Sequence, residues 1–172
     1  MTLHLLTKES AYTHAMNLIA RAMRPDPPLW VDQWAEDHMR IPPDTGAAEP
    51  GPYRVARTPF AREVMRCLSP EHPCQRVVVM GASQLLKTQT FLNAAMAWID
   101  GAPANIIALM PSGELAKRLS ARVDKTIKAI PRVADRVAKP RSRDARNTIN
   151  AKDFRGGTLF CLTAGTAKNL AE

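Results

Sequence analysis

The sequence predicts an α/β fold: a parallel sheet flanked by helices, with an N-terminal helical arm in front. Three observations predict it. First, Arg76 gives way to four apolar residues, Val77–Met80, then to Gly81, a short loop, and an apolar-rich run from Phe91 to Ile99. That order reads as buried strand, loop and helix. Second, another apolar stretch, Asn105–Met110, leads into residues 112–130, where Leu115, Leu119, Val123 and Ile127 recur every four residues along one helical stripe. Strand–helix–strand–helix implies parallel strands joined by right-handed crossovers. Third, Thr148–Ala151 and Thr158–Thr163 read as two strands joined by Lys152-Asp153-Phe154-Arg155-Gly156-Gly157, a hairpin that extends the sheet. Strands 77–80, 105–110 and 158–163 are therefore expected in one sheet, with 105–110 parallel to 77–80.

The remaining elements follow in chain order. Residues 3–23 form a helix with Leu3, Leu6, Ser10, Met16, Ile19 and Met23 partly on one side, ended by Pro25, Pro27 and Pro28. It is either a docking helix for a partner or an arm folded onto the core; the second arrangement is the commoner. Residues 29–41 form a short helical patch in which Trp30 and Trp34 stand at i, i+4 spacing, and packing in the core is the default role for such residues. Residues 41–59 read as an extended loop. Eight of the 14 prolines lie between residues 25 and 59, which divides the chain into an arm and Pro-rich linker, 1–58, and a second unit, 59–172. Residues 59–68 suit a helix with Pro59 in its first turn. Ser112 is the expected N-cap of the helix over 112–130 and Pro131 its stop.

A net charge of +8 with pI near 9.9 favours acidic partners, nucleic acid first. An aromatic content of 5% excludes a base-stacking surface. The basic stretch 132–146 holds Arg132, Arg136, Lys139, Arg141, Arg143 and Arg146; it is a loop facing DNA phosphates, above all through Arg141, Arg143 and Arg146, or a solvated face. Cys67, Cys74 and Cys161 are odd in number and include no C-x-x-C pair, which argues against a disulfide framework and against a zinc site. His4, His14, His38 and His72 are not expected to join them in a ligand cluster. No apolar run reaches the length of a membrane span, so no membrane partner is expected, and no secretory signal is apparent.

The loop between the first strand and helix carries the chemistry. Gly81, Ala82, Ser83, Gln84, Leu85, Leu86, Lys87 and Thr88 follow G-x-x-x-x-G-K-[ST], except that Leu86 replaces the second glycine. In such a loop successive backbone N–H groups and the positive end of the next helix cradle a phosphate chain. Lys87 would reach the β- and γ-phosphates, and the Thr88 hydroxyl would ligate Mg²⁺. Leu86 brings a branched side chain to a position where close approach to phosphate is wanted, at a cost of roughly 1–2 kcal/mol if a left-handed backbone is required there. An ordinary strand–turn–helix with a solvated Lys87 stays open beside the phosphate loop.

The order of landmarks resembles the N-terminal ATPase part of the large terminase subunit of tailed bacteriophages, the GpA-type family. The resemblance rests on Trp34-Ala35-Glu36, Gly51-Pro52-Tyr53-Arg54 with Thr58-Pro59-Phe60, the loop Gly81–Thr88, and Met110-Pro111-Ser112 followed by Ala116, Ser120 and Arg122. It rests also on Lys152–Gly157 and on Ala164-Gly165-Thr166-Ala167-Lys168-Asn169-Leu170. It implies a P-loop NTPase-like sheet, ATP and Mg²⁺ as cofactors, and double-stranded DNA, a terminase small subunit and a capsid portal as partners, in the cytoplasm of a bacterial host. It further implies that residues 53–60 lie beside the adenine; where some large terminases carry a γ-phosphate-sensing arginine in the loop, this chain has Ser83. Two features of the family are missing: an apolar strand ending in Asp-Glu, and the acidic cluster of a nuclease. The expectation is therefore a truncated terminase carrying the front half of the motor domain, the ATP-binding portion, which alone binds ATP–Mg²⁺ weakly if at all and does not hydrolyse it. The alternatives are a non-enzymatic relic or interaction module for DNA or terminase and capsid partners, and an unrelated basic α/β domain.

Overall fold

The structure, a computed structural model, describes residues 8–24, 27–47, 49–82, 85, 87–138, 148 and 150–165. Six α-helices are present among them: α1 (Lys8–Ala22), α2 (Val31–His38), α3 (Ala61–Cys67), α4 (Lys87–Gly101), α5 (Gly113–Ala129) and α6 (Pro131–Ala134). The strands are β1 (Arg40–Ile41), β2 (Gly51–Pro52), β3 (Ile106–Met110), β4 (Ala151–Phe154) and β5 (Gly157–Thr163). β1 and β2 form a small antiparallel pair inside the Pro-rich stretch. The main sheet has the order β3-β5-β4: β5 runs parallel to β3, with Ile106 opposite Leu159, and antiparallel to β4.

The architecture is thus mixed α/β, with a small mixed sheet. Two of the three strands expected to share it do so. The third does not: residues 73–82 carry no strand, and Val78 and Met80 are 83% and 99% exposed. An apolar run is half of a strand's specification; the other half is a neighbour whose edge lies in register, and none of the described strands offers one to Val77–Met80. The hairpin is present but shifted three residues along. β4 begins at Ala151, and the turn is only Arg155–Gly156. Gly156 has φ +97°, and a Cβ there would lie 2.9 Å from Pro103; at Gly157 it would lie 2.8 Å from the Ala104 backbone. The turn sits directly on the segment that enters β3.

One sheet face packs on α5 through Ala108, Leu159, Cys161 and Phe154 against Leu119, Val123 and Ile127. α5 starts as its sequence asks, with Ser112 Oγ accepting from Leu115 N–H at 3.3 Å. Pro131 ends it and opens α6. The buried Lys152 of β4 donates to Asp124 of α5 at 2.8 Å and to the Thr148 carbonyl at 2.7 Å. This pairing is why a lysine closes a core strand and not a turn.

The rest of the core centres on α4. Leu92, Ala95, Met96 and Ile99 are buried with Val31, Trp34 and Ala35 of α2 and Met65 of α3. At its end, the buried Asp100 accepts from Trp34 Nε1 at 2.8 Å and ion-pairs with Arg132 at 2.9 Å. Arg136 Nε lies 3.0 Å from Asp100 Oδ1, close but without hydrogen-bond alignment. α1 differs from the commoner of its two expected arrangements: residues 11–24 are all exposed. Tyr12, Met16, Ile19 and Met23 form an uncovered stripe along it.

Candidate nucleotide-binding site

Residues 73–82 arrive at the loop from the end of α3, and α4 leaves it. Lys87, the first residue of α4, folds back so that Nζ donates to the carbonyls of Gly81 at 2.9 Å and Ala82 at 2.8 Å. The exposed ammonium is therefore held over these two carbonyls of the loop. Leu85 N–H donates to Ala82 O at 3.3 Å, which bends the chain between these positions. α4 is 15 residues long, and its first N–H groups have no helical acceptors, so a positive partial charge stands where the loop ends.

Thr88 is exposed beside Lys87, free to face a ligand, whereas Thr90 is buried. Ser83, Gln84 and Leu86 lie outside the described residues, as do Arg141, Arg143 and Arg146. Of the expected set the structure joins Lys87 to Gly81 and Ala82, and Leu85 to Ala82, while Thr88 follows Lys87 in α4. Two other arginines of the basic stretch, Arg132 and Arg136, are turned to Asp100.

A cleft of about 260 Å³ opens at the loop, lined by Phe60, Val64, Val78, Met80, Gly81, Leu85 and Lys87 among others. It has an apolar wall and a cationic end. Of the residues 53–60, Tyr53 is in the core, sharing a 2.7 Å hydrogen bond with Thr58, while Phe60 is 58% exposed and forms part of the cleft. A broader hollow of about 570 Å³ runs along the β4–β5 hairpin and includes none of the loop residues.

Sequence reasoning missed one constellation. Cys67, His72 and Cys74 do meet: one ligand atom from each lies within 4.8 Å of the others. The expectation that histidines and cysteines stay apart is corrected here. The only signal was a C-x₄-H-x-C spacing with prolines at 70 and 73, which folds the segment back on itself. The Cys67 thiol is pushed up in pKa, first by desolvation and then by Cys74 and Glu63. The Cys161 thiol is pushed up to about 11, chiefly by burial; Lys152 opposes the shift and Asp124 adds to it.

These features define a mixed α/β domain with a lysine folded over a loop at a helix start. Its family is set by comparison. The model for the phage terminase large subunit gpA ATPase domain matches residues 47–172, and the chain belongs to that family. No curated protein and no solved structure matches the chain. The family is consistent with a role in DNA packaging and implies nucleotide binding. Among the described residues no helix is long and apolar enough to cross a membrane.

Proposed function

We propose that this chain is the ATP-binding portion of a viral DNA-packaging motor, and that Gly81–Thr88 with the start of α4 holds the phosphates. The observation that carries the reading is Lys87 Nζ, poised over the Gly81 and Ala82 carbonyls. An incoming phosphate would exchange these two neutral acceptors for charged oxygens, a stronger interaction. Thr88 would supply the hydroxyl for Mg²⁺, and Phe60 would cover one face of the base in the apolar part of the cleft. The activity proposed for residues 1–172 is binding and not turnover. No apolar run in them ends in the aspartate–glutamate pair that holds the metal and orients water.

Calorimetric titration with Mg²⁺ and a non-hydrolysable ATP analogue tests the site. Binding by the unmodified chain that Lys87→Ala removes is the expected result; equal binding by both would move the phosphates elsewhere.

A second reading, that the chain also serves as a docking module, draws on α1. Its exposed stripe Tyr12, Met16, Ile19 and Met23 suits an apolar groove on a partner, and the terminase small subunit is the proposed one. Deleting residues 1–24 should abolish co-purification with that subunit and leave nucleotide binding intact.

A further inference from the structure

We propose that Cys67, His72 and Cys74 form a Zn²⁺ site that fastens the end of α3 to the segment entering the phosphate loop. The ligand atoms already lie within 4.8 Å of one another. A tetrahedral Zn²⁺ with ordinary bond lengths to sulfur and nitrogen holds such atoms about 3.5–3.8 Å apart. Closing the difference takes roughly an ångström of side-chain movement, and the side chains are surface ones: Cys67 is half-buried and Cys74 exposed. Two thiolates and an imidazole are the soft donors that select zinc over Mg²⁺ or Ca²⁺. The fourth position is left to water.

The turn that presents these donors is built, not incidental. Ser69 is buried, accepts Val31 N–H at 2.9 Å, and donates to Met65 O at 3.2 Å. Trp98 Nε1 donates to Leu68 O at 2.8 Å. His72 N–H closes onto Ser69 O at 3.1 Å, and Pro70 and Pro73 restrict the backbone on either side of the histidine. Within this frame the lone pair of His72 Nδ1 is directed at Cys74 N–H, 3.2 Å away, and Cys74 Sγ donates to Arg76 O, also at 3.2 Å. A metal ion would take that lone pair from the amide. It would displace both thiol protons, so each Zn²⁺ bound releases two protons to solvent and no electron moves. With the ion in place, Cys74 is tied to α3, and residues 75–80 run from that fixed point to Gly81.

The test uses the full chain, purified with a phosphine reductant and stripped of metal, then titrated with Co²⁺ and with Zn²⁺. The expected result is a single equivalent of Co²⁺ with a thiolate-to-metal charge-transfer band and the visible envelope of a tetrahedral ion, displaced by Zn²⁺. Cys67→Ser, His72→Ala and Cys74→Ser should each lose that signature while keeping the far-ultraviolet circular dichroism of the parent, and Cys161→Ala should keep both. No uptake by the reduced parent overturns the proposal, as does a signature unchanged by Cys67→Ser and Cys74→Ser together. A Cys67–Cys74 disulfide found by mass in the oxidised chain, combined with no metal uptake by the reduced one, would replace the metal site with a redox pair.

Discussion

Trp34 Nε1 and Asp100 Oδ2 stand 2.8 Å apart and join two helices whose residues are 66 positions apart in the chain. The same carboxylate receives Arg132 and Arg136, so one buried acid ties α2, α4 and the residues around α6. Trp34→Phe keeps an aromatic ring and loses the donor. It should cost about 1.5–3 kcal/mol, the range for a hydrogen bond to a charged group. Asp100→Ala removes the Trp34 acceptor and both arginine contacts at once and should cost more than Trp34→Phe, although the half-exposed arginines regain water and temper the loss. Urea midpoints of the two variants give the order; a milder effect for Asp100→Ala would remove the carboxylate from its central role.

Lys152 and Asp124 make the corresponding link between β4 and α5. Lys152 is buried, whereas Asp124 is 38% exposed, so removing either partner is not symmetrical. Asp124→Ala strands an ammonium beside a single carbonyl and should destabilise by about 3 kcal/mol. Lys152→Met keeps the volume without the charge and should cost less than half of that. The comparison of the two midpoints is the measurement, and a costlier Lys152→Met would contradict it.

The Cys161 thiol also reads out this layer. Its pKa rises from an ordinary 9.0 to about 11 in the folded chain. The unfolded chain loses that proton first, so its stabilising contribution is complete below pH 9 and falls as pH rises from 9 towards 11. Cys161→Ala should flatten the decline in stability over that window relative to the parent, in denaturation series at stepped pH. Parallel slopes would show that other groups carry it.

On the proposed reading, Leu86 and the lack of an Asp-Glu-ended run in residues 1–172 would act at different steps, which makes them separable. Leu86→Gly should tighten binding of a non-hydrolysable ATP analogue, because it restores the loop's backbone freedom and removes a branched side chain at the motif's second glycine position. It should not produce phosphate release. Robust turnover by the unmodified chain, abolished by Lys87→Ala, would instead mean a working motor.

DNA binding, where it occurs, should be independent of sequence and sensitive to salt. Neutralising Arg141, Arg143 and Arg146 together should reduce the slope of log affinity against log salt by about 0.9 for each phosphate that the variant no longer neutralises. An unchanged slope would place the DNA on other residues.

Local chemistry makes much of this fold legible. α4, β3, α5 and β5 lie within a residue or two of where periodicity and capping put them, because Ser112, Pro131 and the stripe through Leu119, Val123 and Ile127 act on their own neighbourhood. What depends on distant partners is harder to read. Lys152 looks like a turn residue until Asp124 is placed beside it, so spacing alone starts β4 three residues early. Val77–Met80 has the composition of a strand without a described neighbour to pair with. The proposed site is read from a loop motif, and within that loop Lys87 Nζ donates to the Gly81 and Ala82 carbonyls. That Phe60 reaches the same cleft while Tyr53 turns inward depends on how α3 packs, which spacing does not encode. The Cys67–His72–Cys74 cluster depends on a turn shaped by two prolines and by the anchoring of Ser69 to α2.

The seat of the β4–β5 turn against Pro103 and Ala104 bears on how fast the chain can fold. Thr158 N–H meets Asn105 Oδ1 across 53 residues, whereas β4 and β5 meet across a two-residue turn. The hairpin and α5 need only local closure and can form on a microsecond scale. Bringing β5 alongside β3 restricts a long intervening chain, with an entropic cost on the order of 3–4 kcal/mol that helix α5 lessens by shortening the span. Non-local strand pairing is thus the step expected to limit refolding, and stopped-flow refolding should show it as slower than the local elements. Gly156 and Gly157, where a Cβ would meet Pro103 and Ala104 at 2.9 and 2.8 Å, let the hairpin seat there, so a substitution at either should slow refolding if that seat forms in the rate-limiting step.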